Sequence, residues 1–182
     1  MIVTLHKTLI PILNIIYIYL MYYFTYKNAF NNYLNSIKSQ HNYESILNNP
    51  DVKIYKMAKN KSNMISLWGC RNSERIKSKW SNLNINDYLL FYSQGKFISL
   101  SKIIGLISSN KISQNLWGSC EYNLIILLDN TVFIDKPKDK FWNVFKYSPK
   151  AKIQSLSIPN INIQSNIFKE DLPLISQILS IL

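Results

Sequence analysis

Residues 86–97, NDYLLFYSQGKF, form the most strand-like stretch of the chain, and a Trp-Gly dipeptide stands on either side of it. The dipeptides are Trp68-Gly69, in SLWGCRN, and Trp117-Gly118, in NLWGS. A buried Trp contributes a large apolar area to a small core, and a Gly directly after it frees the backbone to turn. Because the chain has only 4 glycines, two of them behind a Trp predict paired aromatic walls of a pocket for a flat ligand.

Short strands dominate the sequence around this stretch. Apolar or alternating runs predict strands in VKIYKM, MISLWG, YLLFY, FISLSKIIGLIS, YNLIILLDN and KIQSLSI, with a hairpin around Gly95. Short helices are predicted between them in RNSERIKSKW, NKISQNLWG and FWNVFKY. Many short strands with few polar faces favour closure of the sheet on itself. The sequence therefore predicts an α+β fold with a barrel-like sheet of five or six strands.

The chain begins with a hydrophobic stretch, residues 9–26, that is almost uncharged and has about the length of a membrane span. Pro11, Asn14 and the Tyr-rich second half are atypical of a lipid-facing helix. No small-residue cleavage site of a signal peptide follows. Three interpretations stay open: a membrane anchor, an interfacial or core helix, and an upstream stretch translated from an early start codon.

Composition divides the chain into four parts. They are a hydrophobic segment that is a helix or an anchor, an amphipathic helix, a main domain and a C-terminal helix, over residues 1–27, 28–50, 51–165 and 166–182. The amphipathic helix is predicted to break near His41 and to end before Pro50, because a Pro disfavours helix in the preceding residue. The C-terminal helix is predicted to carry acidic residues in its first turn, where they suit the helix dipole.

The chain of 182 residues has a formal net charge of +11, from 21 Lys+Arg against 10 Asp+Glu. This excess predicts attraction to polyanions, of which nucleic acid and an anionic membrane surface are the leading candidates. The basic residues are densest just after the first Trp-Gly, at Arg71, Arg75, Lys77 and Lys79. A second cluster, Lys136, Lys138 and Lys140, is interrupted by Asp135 and Asp139.

Patterns typical of catalysis or metal binding are not found in the sequence. Cys70 and Cys120 are too few for a disulfide framework, and we interpret them as free thiols in a reducing cytosol. His6 and His41 have no Cys or carboxylate partner at ligand spacing, and Asp87 has no acidic partner for paired-carboxylate chemistry. We therefore expect no enzyme activity, no cofactor and no metal. The abundance of Asn resembles an AT-rich coding bias, so we expect no functional message from much of it.

The motifs SLWGCRN, SKW, INDYLLFY, QGKF, IIGLI, QNLWG and YNLIILLD follow one another over roughly residues 53–158. Their order resembles the EVE and YTH branch of the PUA-like superfamily, and most closely the EVE-like domains that precede modification-dependent restriction GTPases of the Mcr type. Asn86-Asp87 stands where the family pattern has Gly-Asp, a change that is tolerated because Asn also accepts turn conformations. The first fifty residues have no counterpart in the family pattern. No phosphate-binding Gly-rich loop of a motor is present.

This resemblance implies a small PUA-like fold and a non-catalytic reader of modified bases. Such a domain takes one nucleotide, in DNA rather than RNA, out of the stack and into an aromatic pocket. We expect the base pocket to consist of Trp68, Tyr92, Ser93 and Trp117. We expect the nucleic-acid backbone to contact Arg71, Arg75, Lys77, Lys79 and Lys96. In a restriction system, a separate motor or nuclease subunit would act on the DNA.

The aromatic residues also have purely structural interpretations. Trp68 is either the core end of a buried strand or a pocket wall, and Trp117 is either a wall or a lid. Trp80, four residues from Ile76 on one helical face, and Trp142 are predicted to lie in the core. Phe91 and Tyr92 alternate along a strand and so face opposite sides of the sheet, with Tyr92 on the pocket side.

Two other functions stay open. A small membrane-anchored basic protein would use residues 9–26 as its anchor and bind anionic lipid or a protein partner. In the second alternative, a PUA-like domain binds a free nucleotide or base. A pocket without a flanking basic groove would favour this function. The leading hypothesis predicts a cytoplasmic protein, whereas the anchored alternative predicts one held at the membrane.

Overall fold

A computed structural model of the chain describes residues 18–22, 31–59, 62–153, 155–169 and 172–182. The strands in these ranges are β1 (Ile18–Tyr22), β2 (His41–Asn42), β3 (Lys53–Met57), β4 (Met64–Cys70), β5 (Tyr88–Ser93), β6 (Lys96–Ser108), β7 (Leu124–Pro137) and β8 (Leu156–Ser157). The α-helices are α1 (Tyr43–Leu47), α2 (Glu74–Ser81), α3 (Asn110–Trp117), α4 (Asp139–Val144), α5 (Ile161–Ile167) and α6 (Leu174–Ser180). A π-helical turn, Leu34–Lys38, precedes β2, and a 3-10 turn, Cys120–Tyr122, precedes β7.

The strands form one sheet in the order β2-β4-β7-β6-β5-β1-β8, and β3 also pairs with β6. The long strands β6 and β7 are its antiparallel centre, and α3 and the 3-10 turn connect them. β6 has room for two neighbours on its other side, so β5 pairs with its first half and β3 with its second half. Register shifts in the β6–β7 pairing mark bulges, which bend a strand and increase its twist.

The core lies on both faces of this sheet. Ile126 and Leu128 of β7 pack on one face together with Trp68, whereas Ile125 and Leu127 pack on the other face beneath α3. The run LIILL is therefore buried on both faces, which explains why it is continuously apolar rather than alternating. A further cluster, around Trp142 and the β5–β6 hairpin, packs under α4 and the C-terminal helices.

The α+β, PUA-like fold predicted from the sequence is confirmed, with one correction to its sheet. The prediction was a barrel of five or six strands, but within the described ranges the end strands β2 and β8 do not pair, so the sheet is not closed. The hairpin around Gly95 forms as predicted. Asn86 has a φ of 76°, the left-handed conformation for which an Asn can replace a Gly.

Part of the hydrophobic N-terminal stretch is a strand and not a helix. Residues Ile18–Tyr22 form β1, which lies parallel to β5 with Ile18 opposite Tyr88. A helix is the wrong prediction for these residues, because the edge of β5 supplies hydrogen-bond partners along the whole segment. The remainder of residues 9–26 lies outside the described ranges. Among the helices of those ranges, none is long and apolar enough to cross a membrane.

The first residue of β1 is held by a side chain from α5. The backbone N–H of Ile18 donates to Gln164 Oε1 at 2.7 Å, and Gln164 Nε2 donates to the carbonyl oxygen of Ile18 at 3.3 Å. The Gln164 amide, which is buried, thus satisfies one backbone donor and one backbone acceptor, as a neighbouring strand would. β1 is therefore fixed from the C-terminal end of the chain.

The predicted terminal helices are shorter than expected. Where one amphipathic helix was predicted over residues 28–50, the described part contains the π-helical turn, then β2 near the predicted break at His41, then α1. The helix predicted over residues 166–182 is α6, which begins only after Pro173, and its first turn contains no acidic residue. α5 overlaps that range only at residues 166 and 167. Tertiary pairing of β2 with β4 interrupts the helical periodicity.

Asp51 fixes the start of α3, the helix that ends at Trp117. Its Oδ1 accepts a hydrogen bond from Ser109 Oγ at 2.5 Å, and its Oδ2 accepts one from the backbone N–H of Lys111 at 2.7 Å. Burial raises the pKa of Asp51, but these hydrogen bonds, one from Asn110 and the charge of Lys111 outweigh it and hold the pKa below the ordinary value of 3.8. Asp51 therefore favours the folded state as a carboxylate.

We expect Asp51→Ala to lower the free energy of unfolding by about 1 kcal/mol at neutral pH, because α3 loses hydrogen bonds at its first turn. Since the pKa is lower in the folded state, the contribution is complete above the unfolded-state pKa and is lost as the pH falls through the folded-state pKa. Urea unfolding of both proteins from pH 7 down to about pH 3 measures this. A difference that stays constant over the whole range would contradict the prediction.

Candidate functional site

A cavity of about 500 Å³ opens between the end of α3, the 3-10 turn and the helical turn near residue 35. Its volume lies in the range of about 300–1,000 Å³ that is typical of small-molecule sites. The cavity, which we call the Trp117 cavity, is lined by Asn31, Asn32, Asn35, Leu116, Trp117, Gly118, Ser119, Glu121 and Tyr122.

Trp117 is positioned by the absence of a side chain at Gly69. A Cβ placed on Gly69 would lie 2.5 Å from Trp117 Cζ3, so the six-membered ring of Trp117 rests directly on the backbone of β4. Gly118 then ends α3 in the left-handed conformation, with a φ of 68°. The prediction that a Gly after a Trp lets the chain turn is correct for Gly118. It is wrong for Gly69, which continues a strand opposite Ile125.

The loop between Trp117 and β7 is held by the hydroxyl of Ser113. This buried hydroxyl donates to the carbonyl oxygen of Ser119 and accepts from the backbone N–H of Tyr122 at 3.1 Å. The rings of Trp117 and Tyr122 meet edge to face, with centroids 6.4 Å apart and an interplanar angle of 73°. Two half-buried aromatic rings thus form a fixed corner of the cavity.

Amide side chains form the polar part of the cavity lining. Asn31 and Asn35 are exposed and Asn32 is half-buried. Within the described ranges, their side-chain amides make no hydrogen bond. Each amide carries two donors and an acceptor with two lone pairs, so the cavity combines an aromatic corner with groups that pair with the edge of a heterocyclic base.

Arg71 lies beside the cavity through its contact with Glu121. Arg71 Nη2 is 2.9 Å from Glu121 Oε2, and both side chains are more than half exposed. The hydrogen bond and the charge of Glu121 raise the pKa of Arg71. The backbone N–H of Asn72 also donates to the carbonyl oxygen of Glu121 at 2.8 Å. These contacts join the end of β4 to the cavity wall.

The two Trp rings predicted to face each other lie on opposite faces of β4. Trp68 is 8% exposed and packs in the core against Phe91, with ring centroids 5.2 Å apart in edge-to-face geometry. Trp117 covers the next residue, Gly69, whose side of the strand is the other face. Of the two interpretations of Trp68, the structure supports the core end of a buried strand.

Tyr92 and Ser93 are also separate from the Trp117 cavity. Tyr92 stacks on Trp142, with ring centroids 5.5 Å apart and an interplanar angle of 26°. Ser93 is buried at the end of β5, opposite Lys96. Trp80 and Trp142 are buried, as predicted. Of the four residues predicted for the base pocket, the cavity therefore contains Trp117 alone.

Sequence analysis missed the Asn residues, Ser119 and Tyr122 of the cavity lining. The Asn residues were attributed to coding bias, and the helical segment that carries them was not expected to meet α3. One signal was present, because a Tyr follows Trp117 within the same short loop. That spacing brings two rings into one turn.

The predicted backbone-contacting cations have different surroundings. Lys77 is exposed, whereas Arg75 and Lys79 lie one turn apart on α2 and line a second cavity. Lys96 Nζ lies 2.9 Å from Asp135 Oδ1, in an exposed ion pair. In the second basic cluster, one lysine already has a partner: Lys138 Nζ lies 5.1 Å from the ring centroid of Trp142.

The two cysteines are free thiols, as predicted. Cys70 is buried, and burial raises the pKa of its thiol to about 12, so it is protonated and unreactive at neutral pH. Cys120 is exposed. In the part of the chain that the structure describes, no group of three or more His, Cys, Asp or Glu side chains is arranged to hold a metal ion.

No protein-family model and no curated protein sequence matches the chain. Among solved structures, the chain is similar to the N-terminal domain of Thermococcus gammatolerans McrB bound to m5C DNA. The TM-score is 0.63 and the sequence identity is 13%, over 90% of this chain and 99% of that domain. The chain has the fold of that domain. The resemblance to the EVE-like domains of Mcr-type restriction systems is thereby confirmed at the level of the fold.

We expect Gly69→Ala to displace the Trp117 ring and to lower the free energy of unfolding by about 1–3 kcal/mol, because a methyl group has no room beneath the ring. The indole N–H signal of Trp117 in a ¹⁵N-labelled protein should shift. Gly95→Ala is a control for the Trp117 signal only, because nothing lies within 4 Å of the added methyl group but the φ of 81° strains an alanine there. An unchanged Trp117 signal in Gly69→Ala would contradict the contact.

Proposed function

We propose that the protein is a non-catalytic DNA-binding module that reads a modified base, and that the base leaves the duplex and enters the Trp117 cavity. The observation that carries the proposal is the cavity itself, in which an aromatic corner stands beside three side-chain amides. The fold is that of a domain whose structure contains m5C DNA. The net charge of +11 favours a polyanionic partner.

In this proposal the aromatic corner holds the extruded base. Stacking of a base on an aromatic side chain is worth about 1–3 kcal/mol and is tolerant of base identity. The Trp117 ring is backed by the Gly69 backbone, so it is preorganised and loses little side-chain entropy when a base stacks on it. Tyr122 supplies a second ring at an angle to the first.

The amides of Asn31, Asn32 and Asn35 select the base by hydrogen bonds to its edge. A methyl group is recognised by apolar contact, which supplies about 1–3 kcal/mol of discrimination at most. The Leu116 side chain and the ring edges are the apolar lining for such a group. Flipping is least costly for a base that is already weakly paired.

Arg71 and Lys77 are the proposed contacts to the DNA backbone near the cavity. Arg71 is paired with Glu121 in the free protein, so a phosphate would exchange with an exposed carboxylate at little cost. Lys77 is exposed on α2, which begins at Glu74, three residues after Arg71. We propose that a separate motor or nuclease subunit of a restriction system acts on the bound DNA.

We expect Trp117→Ala to weaken binding of a duplex with one 5-methylcytosine roughly tenfold or more, because stacking is lost. The same variant should bind an unmodified duplex about as weakly as the wild type does. Fluorescence anisotropy with both duplexes measures this, and Phe133→Ala, which removes an exposed aromatic residue of β7, is the matched control. Equal affinity of the wild type for both duplexes and for duplexes with other methylated bases would refute the reader function.

We expect Arg71→Gln and Lys77→Gln each to lower the slope of log affinity against log salt concentration by about 1, with an equal loss for modified and unmodified DNA. Lys96→Gln is the matched comparison, because Lys96 forms an exposed ion pair as Arg71 does, but neither Lys96 nor its partner Asp135 lines the Trp117 cavity. A wild-type salt slope in both Arg71→Gln and Lys77→Gln would remove them from the interface. Binding of a free modified nucleoside as tight as that of DNA would favour a small-molecule receptor instead.

A further inference from the structure

A second cavity, of about 260 Å³, lies between α2, the segment after α4 and β8. It is lined by Arg75, Lys79, Trp142, Tyr147, Ala151, Lys152, Ile153 and Ser157, and we call it the Arg75 cavity. It shares no lining residue with the Trp117 cavity. Its volume is below the range of about 300–1,000 Å³ for drug-sized ligands, so it suits a compact group.

The side chains of the Arg75 cavity offer hydrogen-bond donors in excess. Three are cations, at Arg75, Lys79 and Lys152, and no Asp or Glu is among the lining residues. Within the described ranges none of the three cations forms an ion pair. Three neighbouring positive charges without a counter-charge repel one another, and a bound anion relieves that repulsion.

The pKa of Lys79 is affected by this environment. Burial, and then the positive charge of Arg75, lower the pKa of Lys79. Its Nζ donates to the carbonyl oxygen of Leu156 at 2.9 Å, which fixes the ammonium group at the cavity wall. Arg75 and Lys79 are four residues apart on α2, so they lie on the same face of that helix.

Trp142 lines the cavity with a buried ring. It is 3% exposed, and in the described residues its Nε1 has no hydrogen-bond partner. Its ring is already in contact with Tyr92, Tyr147 and the ammonium group of Lys138. Since Nε1 itself is inaccessible, Trp142 contributes its ring to the cavity as a rigid wall.

Tyr147 and Ser157 add hydroxyl groups to the hydrogen-bond donors that line the Arg75 cavity. Burial raises the pKa of Tyr147, so its phenol keeps its proton at neutral pH and remains a donor. The matching ligand is therefore compact, carries more than one negative charge and has several acceptor oxygens. A phosphate monoester has these properties, with about −1.5 to −2 charges at pH 7, whereas a backbone diester has only one.

We propose that the Arg75 cavity is a binding site for a phosphate monoester, supplied either by a free nucleotide or by the phosphorylated end of a nucleic-acid strand. Arg75 and Lys152 neutralise the charge, Lys79 is the fixed ammonium donor, and the Trp142 ring forms one wall. The proposal does not depend on whether the Trp117 cavity binds a base.

Calorimetric titration of the full chain with inorganic phosphate and with deoxyadenosine 5′-monophosphate tests the site. We expect one binding event for each ligand, weakened at least tenfold in the double variant Arg75→Gln, Lys152→Gln. We expect Tyr147→Phe, which keeps the ring and removes the hydroxyl group, to weaken binding severalfold. Lys53→Gln, an exposed lysine of β3 outside the cavity, is the charge control. Thermal unfolding verifies that each variant is folded.

The pH dependence separates a monoester from other anions. Between pH 7 and pH 5 the doubly charged fraction of a monoester falls from roughly nine tenths to one tenth, since its second pKa is about 6. Binding of deoxyadenosine 5′-monophosphate should therefore weaken about tenfold over this range, whereas sulfate binding should not change. Arg75, Lys79, Lys152 and Tyr147 are the charged and titratable groups of the lining, and Lys138 lies over the Trp142 ring.

DNA duplexes with and without 5′-phosphates distinguish the two sources. A tighter complex with the phosphorylated duplex, lost in the double variant, identifies the strand end as a ligand. Nucleotide binding without that difference identifies the free nucleotide. No binding of phosphate or nucleotide at millimolar concentration, or an equal loss of that binding in Lys53→Gln, would overturn the proposal.

Discussion

The contact of the Trp117 ring with the backbone of Gly69 is the constraint on which the candidate site depends. It brings the end of α3 onto β4, and it leaves the loop that follows only a short path back to β7. Ser113 then holds that loop by two hydrogen bonds, so Tyr122 stands at a fixed angle to Trp117. A side chain at position 69 would displace the Trp117 ring, which lines the cavity.

The same contact explains why the two Trp-Gly dipeptides have different roles. In β4, consecutive side chains alternate between the two faces of the sheet, so Trp68 enters the core while position 69 faces α3. In α3, the Gly after the Trp ends a helix. Trp68-Gly69 thus supplies a core ring and a position without a side chain. Trp117-Gly118 supplies the ring that packs against that position.

Much of the fold could be predicted from the sequence, because the central strands have local signals. The apolar runs, the turn at Gly95 and the left-handed Asn86 are all local features that specify β5, β6 and β7. β1 and β2 could not be predicted in this way, since each forms only through pairing with a distant strand. The α+β class therefore followed from the sequence, and the resemblance added the PUA-like topology, but the number of strands and the closure of the sheet were not predicted.

The candidate site was less predictable for a geometric reason. Trp117 and Arg71 carried signals in type and spacing, whereas Asn31, Asn32 and Asn35 belong to a segment whose position depends on tertiary contacts. The Arg75 cavity, which Trp142 lines, could not be predicted for the same reason. The burial of Trp142 was predicted, but the three cations beside it come from α2 and from a loop far along the chain.

The clamp of Gln164 on Ile18 has a consequence for how the molecule folds. The two residues are separated by 146 positions, so the loop that their pairing closes is among the most entropically costly in the chain. The β5–β6 hairpin closes over a two-residue turn and can form early. β1 can pair with β5 before the C-terminal helices exist, but the clamp on its first residue can form only after α5 has formed.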